Sequence, residues 1–400
     1  MMERNEEDIF SRAFQGMWGV QPPVAIRESE GRGLGLFLTR DVQQGEIIFT
    51  EEAEFSQQLN FEDVPACFYC MRSLAPSTTV LDNLKDEYLW PYVNPVCCKV
   101  CSNEIFCSQA CANNAIERGF HICNAQQAFN ELKEFCQHLP PEIKGYPLLV
   151  LQMVLAAVKN LDGTAIGKLD DEEHTENLEK APSSTLDQFS SIFDDYTGEA
   201  SKARLLGEDL DFGKIHSLII KVLKQRNEGT GAAIPSFITL DLIQTLFVKV
   251  CLNALNIRPQ NPFSVYYSGL IRQGQAGRTT KNQVLDKIVE VHKIDLRSGD
   301  EYFRQRCGTD ATALFSLMSY INHTCRNNAQ AQSYNFQTNT IDVVALQNLS
   351  AGMEIMISYV DPKLKRSRRQ VLLENSFCFL CDCDLCEKES ESNNVCGMKC

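Results

Sequence analysis

The sequence predicts an α+β fold in which a strand-rich part is split by a cysteine cluster and a helical stretch. Three observations carry this. Strand-like segments lie near both ends of the chain, at about residues 24–54 and 341–359. Helical periodicity fills residues 141–161 and 213–257. Cysteines gather within residues 61–125 and again within 381–386. At 400 residues, the chain has room for one large domain or two to three modest ones.

The elements follow in order. Val24-Ala25-Ile26, Gly35-Leu36-Phe37-Leu38 and Glu46-Ile47-Ile48-Phe49-Thr50 read as three strands separated by glycines and charged turns. Pro140-Pro141 opens an apolar helix over residues 141–161. Residues 168–199 are acidic and rich in Ser and Thr, which reads as a surface loop. Leu218, Ile219, Val222 and Leu223 share one helical face, and a second apolar helix spans about Leu240 to Leu255. Gly269 to Gly277 lacks the strand-then-helix context of a nucleotide loop and reads as a turn. Ile341 to Leu346 and Glu354 to Tyr359 are strand-like again. The basic run Lys363 to Arg369 reads as a solvated helix face before the helix Gln370 to Asn375; contact with an acidic part of a substrate is the alternative.

Composition narrows the function. The net charge is -14 and the pI is near 5.0, so no global positive field attracts nucleic acid, and a basic protein partner suits the sign. Eighteen cysteines, many in C-x2-C pairs with a histidine nearby, read as zinc sites in a reducing intracellular compartment, cytoplasm or nucleus. The acidic N-terminus has no signal-peptide core, and the longest apolar run, Tyr146 to Val158, is too short and interrupted to span a membrane.

The chemistry concentrates in two motifs. Cys381, Cys383 and Cys386 form a tight C-x-C-x-x-C. Three thiolates leave a structural zinc one ligand short, and Cys325, two residues after His323, is the donor that would complete a tetrahedron. That closure would tie the C-terminal tail over Ser319-Tyr320-Ile321-Asn322-His323.

Two further segments accompany these. They are Gly31-Arg32-Gly33-Leu34-Gly35-Leu36-Phe37 and Gly352-Met353-Glu354-Ile355-Met356-Ile357-Ser358-Tyr359. In this order the four pieces resemble the SET-domain protein lysine methyltransferases. The interposed cysteine cluster is similar to that of the SET-and-MYND-domain subfamily. The short fifth-type members that lack a C-terminal helical repeat domain match best, since only fourteen residues follow Cys386.

The resemblance implies a β-rich, pseudoknotted SET domain with halves at 20–60 and 301–362. Between them it implies a MYND zinc finger at 61–125 and a helical insertion at 126–300, with a post-SET zinc motif at 363–390. It implies methyl transfer from S-adenosylmethionine to a lysine of a histone or ribosomal protein. Arg32, Gly33 and Gly35 would line the donor pocket, Asn322 would hold the methionine end, and the His323 backbone and the Phe379 ring would take the adenine. Tyr359 would be catalytic, with its hydroxyl at the transferring methyl, and Tyr302 and Phe303 are candidate channel-lining aromatics.

Three structural zincs are implied. Cys67, Cys70, Cys107 and Cys111 would hold one, Cys98, Cys101, His121 and Cys123 a second, and Cys325, Cys381, Cys383 and Cys386 the third. A MYND finger also implies a proline-containing peptide partner. Two positions depart from the family. His121 lies two residues before Cys123 where the family has four, so the helix must unwind near Gly119 to bring both to one metal. Phe377 stands where a second active-site tyrosine is usual. The missing hydroxyl would either weaken catalysis or permit more successive methylations. The alternative function is a catalytically weak or inactive scaffold that binds protein partners through the finger.

Overall fold

The computed structural model describes residues 22–61, 63–91, 93–98, 104–165, 206, 210–228, 232–293, 299–333 and 339–396. The acidic segment 168–199 and Cys101 lie outside the described residues. The strands are β1 (Val24–Ser29), β2 (Gly33–Leu38), β3 (Ile47–Glu52), β4 (Phe55–Gln58), β5 (Val96–Cys97) and β6 (Ile105–Phe106). They continue as β7 (Leu255–Ile257), β8 (Ala311–Leu314), β9 (Asn322–His323), β10 (Ala329–Gln332), β11 (Thr340–Ala345) and β12 (Met356–Ile357). The helices are α1 (Gln109–Glu117), α2 (Gln126–Gln137), α3 (Tyr146–Ala165), α4 (Phe212–Arg226) and α5 (Leu240–Asn253). They are followed by α6 (Pro262–Arg272), α7 (Gly274–His292), α8 (Gly299–Cys307), α9 (Arg366–Phe377) and α10 (Asp384–Cys396).

β1 and β2 form an antiparallel hairpin that sets Ser29 opposite Gly33. The three-residue loop and the strand residue that closes it need left-handed backbone, and Gly31 and Gly33 supply it at φ +71° and +72°. β3 pairs antiparallel with β11, and β11 with β10, so the first strand-rich segment and the last share one sheet. β8 sits between β4 and β7 in a second antiparallel sheet and is buried at all four positions. β9 and β12 pair in parallel, with Asn322 beside Met356 and His323 beside Ile357. Leu36, Leu38, Phe315, Val343 and Ile355 fill the core between these pieces.

The helical part has its own core. Leu148 to Leu155 of α3 are buried all round, and α4 buries Ile215, Leu218, Ile219, Val222 and Leu223 on one face. Side chains cap the helices as their types dictate. Asp211 accepts from the Lys214 N–H at 2.8 Å, Thr239 from Leu242 at 3.2 Å and Asn261 from Ser264 at 2.9 Å. Among the described residues no helix is long and apolar enough to cross a membrane.

Three sequence readings need correction. Gly269 to Gly277 is not one turn: Gly269 and Gly277 lie inside α6 and α7, and the chain breaks only at Gln273 and Gly274, where φ is +71°. A Cβ at Gly277 would collide with the Leu270 carbonyl, so that glycine permits the close helix crossing. Tyr302 and Phe303 belong to the helical part. Phe303 stacks on Phe263 with centroids 3.6 Å apart, inside a cluster with Trp90 and Tyr266. The basic run is not a uniformly solvated face, because α9 begins at Arg366 and buries Arg369.

Candidate active site and metal centres

The parallel β9–β12 pair builds the centre of the site. It places Asn322 and His323 beside the strand that leads to Tyr359. The Tyr359 hydroxyl donates to the Ile321 carbonyl at 2.6 Å, and its backbone N–H donates to His323 Nδ1 at 3.0 Å. Because Nδ1 accepts, the ring proton sits on Nε2, which faces Cys325 Sγ at 3.4 Å. Burial pushes the Tyr359 pKa above its ordinary value, with the Glu354 charge adding to the effect. Burial lowers the His323 pKa to about 4, helped by the charges of Arg32 and Arg369.

Aromatic rings wall this centre. Phe377 lies 4.8 Å from the Tyr359 ring, and Phe379 lies 6.4 Å from it and 5.7 Å from His323. Cys378 between them has φ +60°, which ends α9 and throws Phe377 and Phe379 onto the site. The tip of the β1–β2 hairpin reaches the same place. Arg32 Nη1 contacts Met356 Sδ at 3.2 Å, and Nη2 meets Asp382 at 3.5 Å.

Asn322 is tightly oriented. Its Nδ2 donates to the Leu34 carbonyl at 3.0 Å and to Glu354 Oε1 at 2.8 Å, and two acceptors fix which end of the amide is nitrogen. Glu354 also accepts from Ser29 Oγ at 2.9 Å. A Cβ on Gly35 would run into this Glu354 carboxylate and the Asn322 amide. Glu51, 1 % exposed on β3, accepts the N–H groups of Leu317 and Met318 at 2.7 and 2.8 Å. It thereby pins the turn that feeds Tyr320 and Asn322. Sequence reasoning missed Glu354, Glu51 and Arg369, since their partners are remote in the chain. The G-x-E-I motif was the one available signal, for Glu354.

The cysteines converge into groups. The metal-facing atoms of Cys325, Cys381, Cys383 and Cys386 lie within 4.8 Å of one another, as do those of Cys67, Cys70, Cys107 and Cys111. A tetrahedral zinc with ~2.3 Å bonds to sulfur needs S···S edges of about 3.8 Å. The Cys325 sulfur lies 3.6 Å from that of Cys386 and 3.9 Å from that of Cys381. In the other group Cys107 is 3.6 Å from Cys70 and 3.5 Å from Cys111. Both donor sets therefore fit zinc in spacing and in kind. The Ser108 hydroxyl accepts from the Cys111 N–H at 3.2 Å, so the cap of α1 sets the Cys107 and Cys111 pair.

Cys98, His121 and Cys123 form a third group. α1 stops at Glu117, and Gly119 adopts φ +75°. His121 and Cys123 thus leave the helix and approach Cys98 together. Cys98 Sγ is 3.0 Å from His121 Nε2 and 3.4 Å from Cys123 Sγ. The two-residue spacing works because no helix spans it. Glu104, 3 % exposed, binds His121 Nδ1 and leaves Nε2 toward the cysteines. Cys97 is exposed and outside the group.

Residues 33–360 match the SET-domain family. This chain belongs to the SET-domain family. Some relatives match along nearly the whole length and others over a quarter of it. The protein-lysine N-trimethyltransferase SMYD5 of Homo sapiens is 23 % identical over 416 residues, 97 % of this chain and 92 % of its own. The protein of the same name from Danio rerio is 24 % identical over 417 residues, with the same shares. The histone-lysine N-methyltransferase ATXR2 of Arabidopsis thaliana is 37 % identical over 95 residues, 24 % of this chain and 19 % of its own. The SET-domain chain is accordingly a protein-lysine methyltransferase, and SET methyltransferases use S-adenosylmethionine.

Proposed function

We propose that this SET-domain enzyme methylates a lysine of a basic protein, a histone or a ribosomal protein, with Tyr359 as its catalytic residue. The observation that carries the proposal is the convergence of the half-buried Tyr359, Phe377 and Phe379 rings and the buried His323 ring beside Cys325. The net charge of -14 complements a lysine-rich substrate.

S-adenosylmethionine supplies an electrophilic methyl when bound. Arg32, Gly33, Gly35, Asn322, His323 and Phe379 would hold it. Asn322 spends its amide hydrogens on Leu34 and Glu354, so Oδ1 remains to accept from an ammonium. Gly35 keeps the backbone side of that cradle free of a side chain. The hydroxyl proton of Tyr359 is committed to Ile321, so its oxygen lone pairs are left to meet a methyl C–H and to orient the amine. With its pKa raised, Tyr359 stays a phenol and is no base. The amine must therefore arrive neutral, and the apolar rings of Phe377 and Phe379 disfavour its ammonium form. Positioning then supplies most of the rate.

Three structural zincs complete the proposal, on the ligand sets expected from the sequence, with Cys101 as the fourth ligand beside Cys98, His121 and Cys123. Residues 61–125 would be a MYND finger able to take a proline-containing partner, between SET halves at 20–60 and 301–362. The insertion 126–300 and the post-SET segment 363–390 complete the layout. Phe377 favours successive methylation, since no second hydroxyl claims the amine, and SMYD5 is named a trimethyltransferase. Incubation of the zinc-loaded protein with labelled donor, histones and ribosomal extract tests this. Label on lysine supports the proposal, and an unlabelled extract overturns it.

A further inference from the structure

Arg369 belongs to the basic run that reads as solvated, yet it is 1 % exposed and heads the bulkiest fully buried side chains. Its fork ends on sulfur. Nε donates to Cys325 Sγ at 3.2 Å, and Nη2 donates to Cys386 Sγ at 3.5 Å. Nη1 donates to the Leu364 carbonyl at 2.5 Å, and Nη2 also meets Glu389 Oε2 at 2.9 Å. A buried guanidinium is costly unless it is paired with negative charge. Glu389 is partly open to water, with 38 % of its side chain exposed, so the sulfurs are the more deeply buried of its partners.

Four thiolates around a divalent ion carry an excess charge of about -2. A single guanidinium with two N–H···S bonds offsets half of it and fixes two of the four sulfurs. We propose that Arg369 is a positioning residue for the metal held by Cys325, Cys381, Cys383 and Cys386, and that it sets how long this clamp retains its ion. The inference rests on the zinc reading above. Its consequence reaches the active site, because Cys325 also contacts His323, and His323 accepts the Tyr359 backbone N–H.

The test compares the full zinc-loaded chain with Arg369→Met, Arg369→Lys and Cys325→Ser. Zinc per chain is measured first, then its release into excess chelator, then the sulfur-to-metal absorption band after cobalt substitution. Arg369→Met should release one ion per chain about 10- to 100-fold faster, the remaining ions leaving at the parent rate, with a shifted cobalt band. Arg369→Lys keeps the charge but loses the fork and should fall between. Release from Arg369→Met at the parent rate with an unmoved band, while Cys325→Ser lacks one ion, overturns the role of Arg369. A full zinc complement in Cys325→Ser instead overturns the zinc reading itself. Should Arg369→Met fail to fold, Arg369→Lys decides: faster release with an unchanged circular dichroism spectrum supports the role, and the parent rate refutes it.

Discussion

Glu51→Gln probes the buried carboxyl that holds the turn before Asn322. Burial raises the Glu51 pKa from 4.5 to about 7, against the lowering effect of its bonds to the Leu317 and Met318 N–H groups. The folded chain thus keeps a proton that the unfolded chain has released between those values. Stability from this group is fully present below about pH 4.5, falls as pH rises, and levels off above about pH 7. At ~1.4 kcal/mol for each pH unit between the two values, the loss is roughly 3 kcal/mol. Glutamine does not titrate, so it removes the dependence. Urea midpoints of both proteins, zinc-loaded, at intervals from about pH 5 to pH 8 should show the parent losing roughly 2.5 kcal/mol of this relative to the variant. A gap that stays constant with pH would refute the reasoning, because acid loss of zinc affects both proteins alike.

Four other outcomes follow. Tyr359→Phe should lower kcat about 100-fold while calorimetry finds donor affinity within about threefold; equal turnover would remove Tyr359 from the chemistry. Phe377→Tyr should make each further methyl about tenfold slower, as one added hydrogen bond is worth ~1.4 kcal/mol. Intact mass would then show monomethyl product accumulating, and an unaltered product pattern would sink the idea. Gly35→Ala places a methyl group against Glu354 and Asn322 and should weaken donor binding at least about tenfold by calorimetry, whereas parent affinity would contradict the cradle. Glu104→Ala frees the His121 ring and should weaken the second finger zinc about tenfold or more in chelator competition. Unchanged competition would mean that the carboxylate does not orient the ligand.

Much of the fold was legible because its signals are local. Alternation over Gly35 to Leu38 and Ile341 to Leu346 marks β2 and β11, and one apolar face marks α4. The C-x-C-x-x-C and its fourth thiol at Cys325 were readable from ligand arithmetic, whereas the pairing of Cys67 and Cys70 with Cys107 and Cys111 came from the family resemblance, because spacing alone does not say which pairs share an ion. The β4–β8–β7 sheet was not, since three short strands separated by long insertions carry no pattern of their own. β12 is shorter than its sequence pattern, because only Met356 and Ile357 find a partner in β9. Tyr302 and Phe303 look like channel aromatics by type alone, but α8 gives them to the helical core. Arg369 and Glu51 escaped for the opposite reason. Charge predicts exposure, and only the folded chain shows the sulfurs and backbone N–H groups that make burial tolerable.

The most direct measurement is mass spectrometry of a histone and ribosomal protein mixture after incubation with labelled S-adenosylmethionine, with the zinc-loaded parent and Cys325→Ser run side by side. A zinc-clamped SET site predicts methyl groups on lysine from the parent, and loss of both one zinc and the transfer in Cys325→Ser. Full transfer by Cys325→Ser, or none by a fully zinc-loaded parent, would contradict it.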